Sequence, residues 1–280
     1  MMQIIQRRKI YYVISLLLII PGLISLFMQG LNLGIDYEGG SILHVRISAE
    51  TPVKEVREAI SGLEYGSPEV QKSNDEFYIR TVELNQEQTK DLIQILTDKF
   101  GKVEFLSAES VGAVIGSELT RNALLSVFIA ALLMLAYITV RFEWSFGVAA
   151  VLAIIHNVLI VLGAFSIFQW QINSAFIAAI LTVVGYTIND TIVIFDRVRE
   201  NMRFRRKEDY ISLLNRSILQ SFNRSINTVL TSAFALIALL LLGGETIKYF
   251  VAAMLIGFVV GAYSSIFIAS PLWYELKTRA

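Results

Sequence analysis

Residues 183–201 read VVGYTINDTIVIFDRVREN, and one carboxylate, Asp190, stands in the middle of the apolar part. An ionised side chain at such a depth costs about 2.5–3.5 kcal/mol on insertion scales, so it needs a partner or a water-filled cavity. The groups that can serve it recur at helical spacing. Tyr186 lies four residues before Asp190, and Asn189 and Thr191 flank it. A second segment, FNRSINTVLTS (222–232), places Arg224, Asn227 or Thr228, and Thr231 at i, i+3/i+4 and i+7. That spacing makes one polar stripe on one helix face. Two polar stripes at matched depth predict a hydrated seam between two spans, with Arg224 reaching toward Asp190. Hydrocarbon favours the protonated acid, and a nearby arginine favours the carboxylate. A movement that changes the Asp190–Arg224 distance would therefore change ion affinity. The alternative is a buried structural ion pair that fixes helix packing.

Other chemistry is sparse. The chain has no cysteine and two histidines, His44 and His156, which argues against a thiol site or a His-built metal site. No nucleophile–base set and no HExxH motif is present, so an intramembrane enzyme is disfavoured. No cofactor and no metal are expected. His156 and its neighbour Asn157 are candidates for a proton route, although an amide cannot carry a proton as a carboxylate could. Gly257 and Gly261 form a GxxxG face suited to close packing, or to contact with another subunit.

The elements that must hold these residues follow from composition. Of 280 residues 55% are apolar and 17% charged, against about 25% charged in a soluble domain. Six stretches are long and apolar enough to cross a bilayer: residues 10–29, 122–140, 146–168, 173–195, 226–242 and 249–271. Pro21 predicts a bend in the first. Fourteen lysines and arginines fall on one side of these spans, eight of them after the fourth (Arg197, Arg199, Arg203, Arg205, Arg206, Lys207, Arg216 and Arg224). The positive-inside rule then puts both termini in the cytoplasm and the long segment between spans one and two outside. The basic loop is read as topology plus contact with anionic lipid headgroups, and not as a nucleic-acid site. Asp190, six residues before Asp196, lies about 9 Å inside the cytoplasmic end.

The outer segment holds 16 of the 24 acidic residues. Its pattern predicts strands at 41–48, 69–73, 76–84 and 102–111 and helices at 52–63 and 85–100. The order β-α-β-β-α-β is that of a ferredoxin-like split βαβ unit. The fold class is thus an α-helical polytopic membrane protein of six spans with one extracytoplasmic α+β domain. The expected divisions are a tail and first span (1–35), the outer domain (36–119), and spans two to six with a basic loop at 196–225 (120–280). Glycine-rich necks join the outer domain to the membrane. GIDYEGG supplies Gly34, Asp36, Gly39 and Gly40, and VGAVIG supplies Gly112 and Gly116. They are expected to act as bends about which the domain tilts.

Four motifs, GLNLGIDYEGGS (30–41), ESVGAVIGSEL (109–119), VGYTINDTIVIFDRVREN (184–201) and FNRSINTVLTS (222–232), together resemble the SecF family. Its members are the partners of SecD in protein export, within the wider resistance–nodulation–division superfamily. The resemblance covers nearly the whole chain. Departures are Tyr37 where the family commonly has Phe, Ala113 where it often has Pro, and Asn157 where it often has Asp. The resemblance implies an ion-coupling role for Asp190 and Arg224, with H⁺ or Na⁺ as the ion. It implies SecD and the SecYEG channel as partners, a translocating polypeptide as substrate and the inner membrane of a prokaryote as location. A small-molecule or lipid transporter of the same superfamily, or an assembly scaffold, is the competing reading. An outer domain of about 80 residues is small for ligand pockets, and a scaffold gains little from a membrane carboxylate.

Overall fold

The fourth span sets the frame. Its helix runs from Ser174 to Arg203, so Asp190 lies in its second half, two turns before the first arginine. The computed structural model describes residues 3–61, 68–204 and 208–279. In chain order these form α1 (Arg8–Gln29), α2 (Ile35–Glu38), β1 (Gly40–Arg46), α3 (Val53–Ile60), β2 (Glu69–Ser73), β3 (Glu76–Thr81), α4 (Gln86–Phe100) and β4 (Glu104–Val111). Then follow α5 (Ala113–Arg141), α6 (Trp144–Phe168), α7 (Ser174–Arg203), α8 (Tyr210–Leu242), α9 (Glu245–Ser264), a π-helical segment (Ser265–Ala269) and α10 (Ser270–Arg279). Six spans are long and apolar enough to cross a membrane: α1, α5, α6, α7, α8, and the run from α9 into α10. The chain divides into a unit of Met1–Asn32 with Leu124–Ala280 and a unit of Leu33–Ala123.

Two expectations about the helices need correction. The span expected at 226–242 belongs to a helix that starts at Tyr210, where Asp209 caps it by accepting from the Ser212 amide at 3.1 Å. Arg224 therefore sits well inside α8. The stretch 196–225, expected as a loop, is mostly the overhanging ends of α7 and α8; residues 205–207 lie outside the described ones. The reason is packing beyond the bilayer. Leu213, Leu214 and Ile218 of α8 are buried in a cluster with Phe195, Val198, Phe146 and Trp273, where the Phe146 and Trp273 rings stack at 4.7 Å. A hydropathy window stops at the first charges; the apolar stripe does not. Pro21 is accommodated inside α1, which continues through it as helix.

The smaller unit shows the expected β-α-β-β-α-β order, preceded by the single turn α2. Its four strands form an antiparallel sheet in the order β2-β3-β1-β4. Val56 and Ile60 of α3 and Leu92 and Leu96 of α4 close over Leu43, Val45, Phe77 and Ile79. Asn85 and Gln88 form a capping box at the start of α4, which fixes where that helix begins. The expected helix 52–63 is seen to Ile60, and residues 62–67 lie outside the described ones.

The other sheet face is polar. Arg46 pairs with Glu76 and Glu104 at 2.9 Å and with Asp75 at 3.2 Å, and His44, stacked on Tyr78, lies 3.0 Å from Glu76. Arg46 first, and then His44, holds the Glu76 carboxyl below its ordinary 4.5. A carboxyl depressed on folding contributes stability above its unfolded value and loses it as pH falls through the folded one. The unit is therefore expected to lose stability as the medium is acidified below about pH 4.5, and Glu76→Gln to flatten that dependence. Thermal melting of the full chain against pH, following this unit, reads the difference.

Candidate functional site

Asp190 is 6% exposed, and its Oδ2 is buried without a hydrogen-bond partner. Its polar neighbours across the α7–α8 seam are the Ser225 hydroxyl and, at longer range, the Arg224 guanidinium. Ser225 is fully buried, and its Oγ faces this region without closing a hydrogen bond. Among the described residues no ion pair within 4.0 Å joins Asp190 to Arg224, and Arg224 is exposed. One turn before Asp190, the Tyr186 hydroxyl donates to the Thr228 carbonyl at 2.7 Å and lies 3.0 Å from Ser232 Oγ. Its ring stacks on Phe258 of α9 at 3.8 Å. Tyr186 thus ties α7 to both neighbouring helices directly beside the carboxylate.

The polar face of α8 is not the one expected. Ser221, Ser225, Thr228 and Ser232 supply the face toward α7, whereas Asn227 and Thr231 are exposed with Arg224. Among the described residues Thr231 bonds carbonyls of its own helix, those of Asn227 and Thr228. Two polar stripes run along α8 about one residue, or 100°, apart, and spacing alone does not choose between them. Ser225 and Ser232 were missed for this reason. Their spacing with Ser221 and Thr228 was the available signal.

Thr191 points elsewhere, toward α9. Its hydroxyl donates to the Thr187 carbonyl at 3.1 Å and lies 2.8 Å from Ser265 Oγ. Ser265 opens the π-helical segment, and Ser270 donates to the Ser265 carbonyl at 3.0 Å. A π-turn inside a span is a common mark of a functional region. It puts a locally re-registered helix against the α7 turn that carries Asp190. Gly257 and Gly261 make this approach possible. A Cβ on Gly261 would overlap Thr187, and one on Gly257 would overlap Val183. The GxxxG face is thus spent inside the chain and is not free for another subunit. Gly261→Val is expected to part α9 from α7, break the Thr191–Ser265 contact and cost about 1–3 kcal/mol; melting of the detergent-purified chain checks it.

Asn189 is exposed and faces a cavity of about 400 Å³ between α7 and α8, with Asp196, Arg197, Gln220, Ser221 and Arg224 also on its wall.

His156 and Asn157 are buried in a different place. His156 Nε2 lies 2.9 Å from Ser15 Oγ and Nδ1 lies 3.1 Å from Asn157 Oδ1. Ser15 Oγ lies 3.4 Å from the Tyr263 hydroxyl, which donates to the Tyr11 carbonyl at 2.8 Å. These bonds join α1, α6 and α9. Among the described residues they do not lead to Asp190.

The two necks are packed on each other within the smaller unit. Gly40 has φ 124°, and a Cβ there would lie 2.6 Å from the Thr81 carbonyl oxygen. Any other residue would be strained and would clash. Gly39 abuts Ala113, and Gly116 abuts the Tyr37 carbonyl, so the GG motif and the start of α5 form one clasp. Gly34, with φ −75°, caps α2, and its carbonyl accepts from the Tyr37 amide at 3.0 Å. Asp36 lies in the first turn of α2, and Gly112 has ordinary contact with Glu83. The two necks, expected as bends about which the domain tilts, meet here in one packed arrangement. The chain brings Gly39, Gly40 and Gly116 together because only their small size lets two backbones touch.

The family models agree with the motifs. The SecD/SecF C-terminal model of protein export membrane proteins matches residues 91–279, and the SecD/SecF GG motif matches residues 24–53. The chain belongs to the SecD/SecF family. Within that family it is 40% identical to the protein translocase subunit SecF of Sebaldella termitidis, over 99% of this chain and 92% of that one. It is 41% identical to the SecF subunit of Acidaminococcus fermentans, over 99% and 97%. The crystal structure of SecDF from Thermus, described as a translocon-associated membrane protein, matches with a TM-score of 0.93 at 35% identity. That match covers 99% of this chain and 39% of the SecDF chain, so this SecD/SecF chain spans about two-fifths of the longer one.

Proposed function

We propose that the chain is the SecF half of an ion-driven accessory of protein export, with Asp190 as the group that takes up and releases the coupling ion. The observation that carries this is the Asp190 carboxylate itself: buried, with one oxygen unpartnered and no ion pair to Arg224. A buried ionised carboxylate without a partner costs several kcal/mol. This arrangement therefore favours the neutralised group, holding a proton or a bound Na⁺. The Arg224 guanidinium is long enough to swing in from the cavity wall, and its approach would release the ion. Ser225 supplies a nearby hydroxyl to either ion. Alternation between these two arrangements moves α7 against α8 and α9, along the seam that Tyr186 and Ser265 bridge.

A chain of this length supplies one six-span half. The SecDF chain, of which it matches about two-fifths, supports a SecD subunit as the other half. The relatives' name, protein translocase subunit, supports a polypeptide emerging from the SecYEG channel as the substrate. The lysine and arginine distribution supports cytoplasmic termini, and the SecF relatives support an inner-membrane location.

Ion flux tests the reading. In vesicles holding the chain with its SecD partner, an imposed pH or sodium gradient should dissipate faster than in vesicles without them. Asp190→Asn should return the rate to that of empty vesicles. Equal flux with and without Asp190 would refute coupling at this residue.

A further inference from the structure

A second charged site lies where α5 leaves the membrane. Two adjoining cavities of about 270 and 250 Å³ share Arg141 and Arg199; Arg203 lines the first, and Val140 and Phe142 line the second. Two guanidinium groups lie over the Phe142 ring, Arg141 at 5.4 Å and Arg199 at 5.7 Å from its centre. Arg199 also donates to the Arg141 carbonyl at 3.2 Å. That bond covers the last carbonyl of α5, which would otherwise repel an anion.

The carboxylates here are already engaged. Glu143 binds Lys277 at 2.6 Å, Glu200 binds Arg197 at 2.7 Å, and Asp196 makes a loose pair with Arg141 at 3.9 Å. Among the described residues Arg199 and Arg203 have no carboxylate partner. Three arginines and three carboxylates line the cavities, and because Lys277 and Arg197 engage Glu143 and Glu200, Arg199 and Arg203 keep donors suited to a phosphate.

The wall beside it is apolar. α5 is the least enclosed of the six spans, with 6% of its apolar window buried inside the chain. Ile129, Leu133, Tyr137 and Val140 stand in a row on one face, at steps of three and four residues, and Val140 is 88% exposed. The row ends at the cavities. An arginine pocket at the end of an exposed apolar track has the shape of a phospholipid, with its phosphate between the guanidiniums and its chains along α5.

We infer that the pocket of Arg141, Arg199 and Arg203 binds the phosphodiester of an anionic phospholipid whose acyl chains lie on the Ile129–Val140 face of α5. Guanidinium forks suit phosphate oxygens, and basic pockets between spans are common headgroup sites. The site rests on the membrane placement of α5 and is independent of ion exchange at Asp190. Bound lipid would brace the end of α7 against α5, two turns beyond the carboxylate.

Native mass spectrometry of the full chain, released from detergent, tests this with phosphatidylglycerol, phosphatidylcholine and glycerol phosphate. Phosphatidylglycerol should bind tighter than phosphatidylcholine, and glycerol phosphate should not compete with it. The Arg199→Gln, Arg203→Gln double variant should bind phosphatidylglycerol about 25-fold more weakly, from about 1 kcal/mol per basic residue. Its phosphatidylcholine binding should be unchanged, and Arg57→Gln in the other unit should change neither. Equal binding of the two lipids by the unaltered chain would overturn the site without reliance on any variant. Unchanged binding by the double variant would overturn it as well. Competition by glycerol phosphate would reduce it to a free-anion site, and displacement by polyglutamate would reassign it to an acidic protein segment.

Discussion

Asp190→Asn is expected to reach normal levels in the membrane and to lose the whole gradient-dependent part of protein export. The substitution keeps the shape of the side chain and removes the carboxyl that the proposed function has hold and release an ion. In a locked ion pair, neutralising one partner would strand a buried charge and cost about 3–5 kcal/mol. Here no ion pair within 4.0 Å joins the carboxylate to a cation among the described residues, and Arg224 is exposed. Stability should therefore stay within about 1 kcal/mol of the unaltered chain, since the amide replaces a carboxyl that this arrangement already favours as neutral. Export of a secreted reporter, measured with and without the ion gradient, should become gradient-independent at the level of cells lacking the chain. Undiminished gradient dependence would leave Asp190 as a packing residue.

Arg224→Gln is expected to cause a similar loss of gradient-dependent export by a different route. As an exposed side chain without an ion pair, it should change the melting free energy by no more than about 0.5 kcal/mol. On the proposed reading it acts only in the arrangement in which it meets Asp190. Removing it should trap the neutralised state, so ion release fails while binding persists. The double substitution Asp190→Asn, Arg224→Gln should be no worse than either alone, because both act on one step. Arg224→Lys asks what the guanidinium adds. A compact ammonium retains the charge but not the fork, so partial recovery is expected. A large loss of stability in Arg224→Gln would instead reveal a static structural pair.

These two expectations show which parts of the molecule could be read from sequence. The six spans were legible because twenty apolar residues in a row have few other uses. The outer unit was legible because strand and helix periods alternate cleanly from Ser41 to Val111, with caps such as Asn85 to mark the boundaries. Asp190 stood out as a carboxylate in hydrocarbon. Its surroundings were less legible. α8 carries two polar stripes, and which one meets α7 depends on a helix rotation set by Leu213, Leu214 and Ile218, far from the stripe itself. The ends of α7 and α8 were missed because packing outside the bilayer prolongs helices that hydropathy truncates. The Gly257–Gly261 face announced a close contact but not its owner, Thr187 and Val183 of α7. The π-helical segment at Ser265 has no sequence signature, since it is one extra residue per turn absorbed by a serine carbonyl and the Ser270 hydroxyl.

The claim on which the rest depends is that the Asp190 carboxyl changes its bound ion. Infrared difference spectroscopy reads this at the group itself. The chain with its SecD partner, in membranes and with isotope-labelled aspartate, would be stepped through pH and through Na⁺ concentration. The account predicts one labelled aspartate signal that interconverts between neutralised and ionised forms, is absent in Asp190→Asn, and remains locked in the neutralised form in Arg224→Gln. A labelled signal for Asp190 that stays in one form under every pH and Na⁺ condition would contradict it.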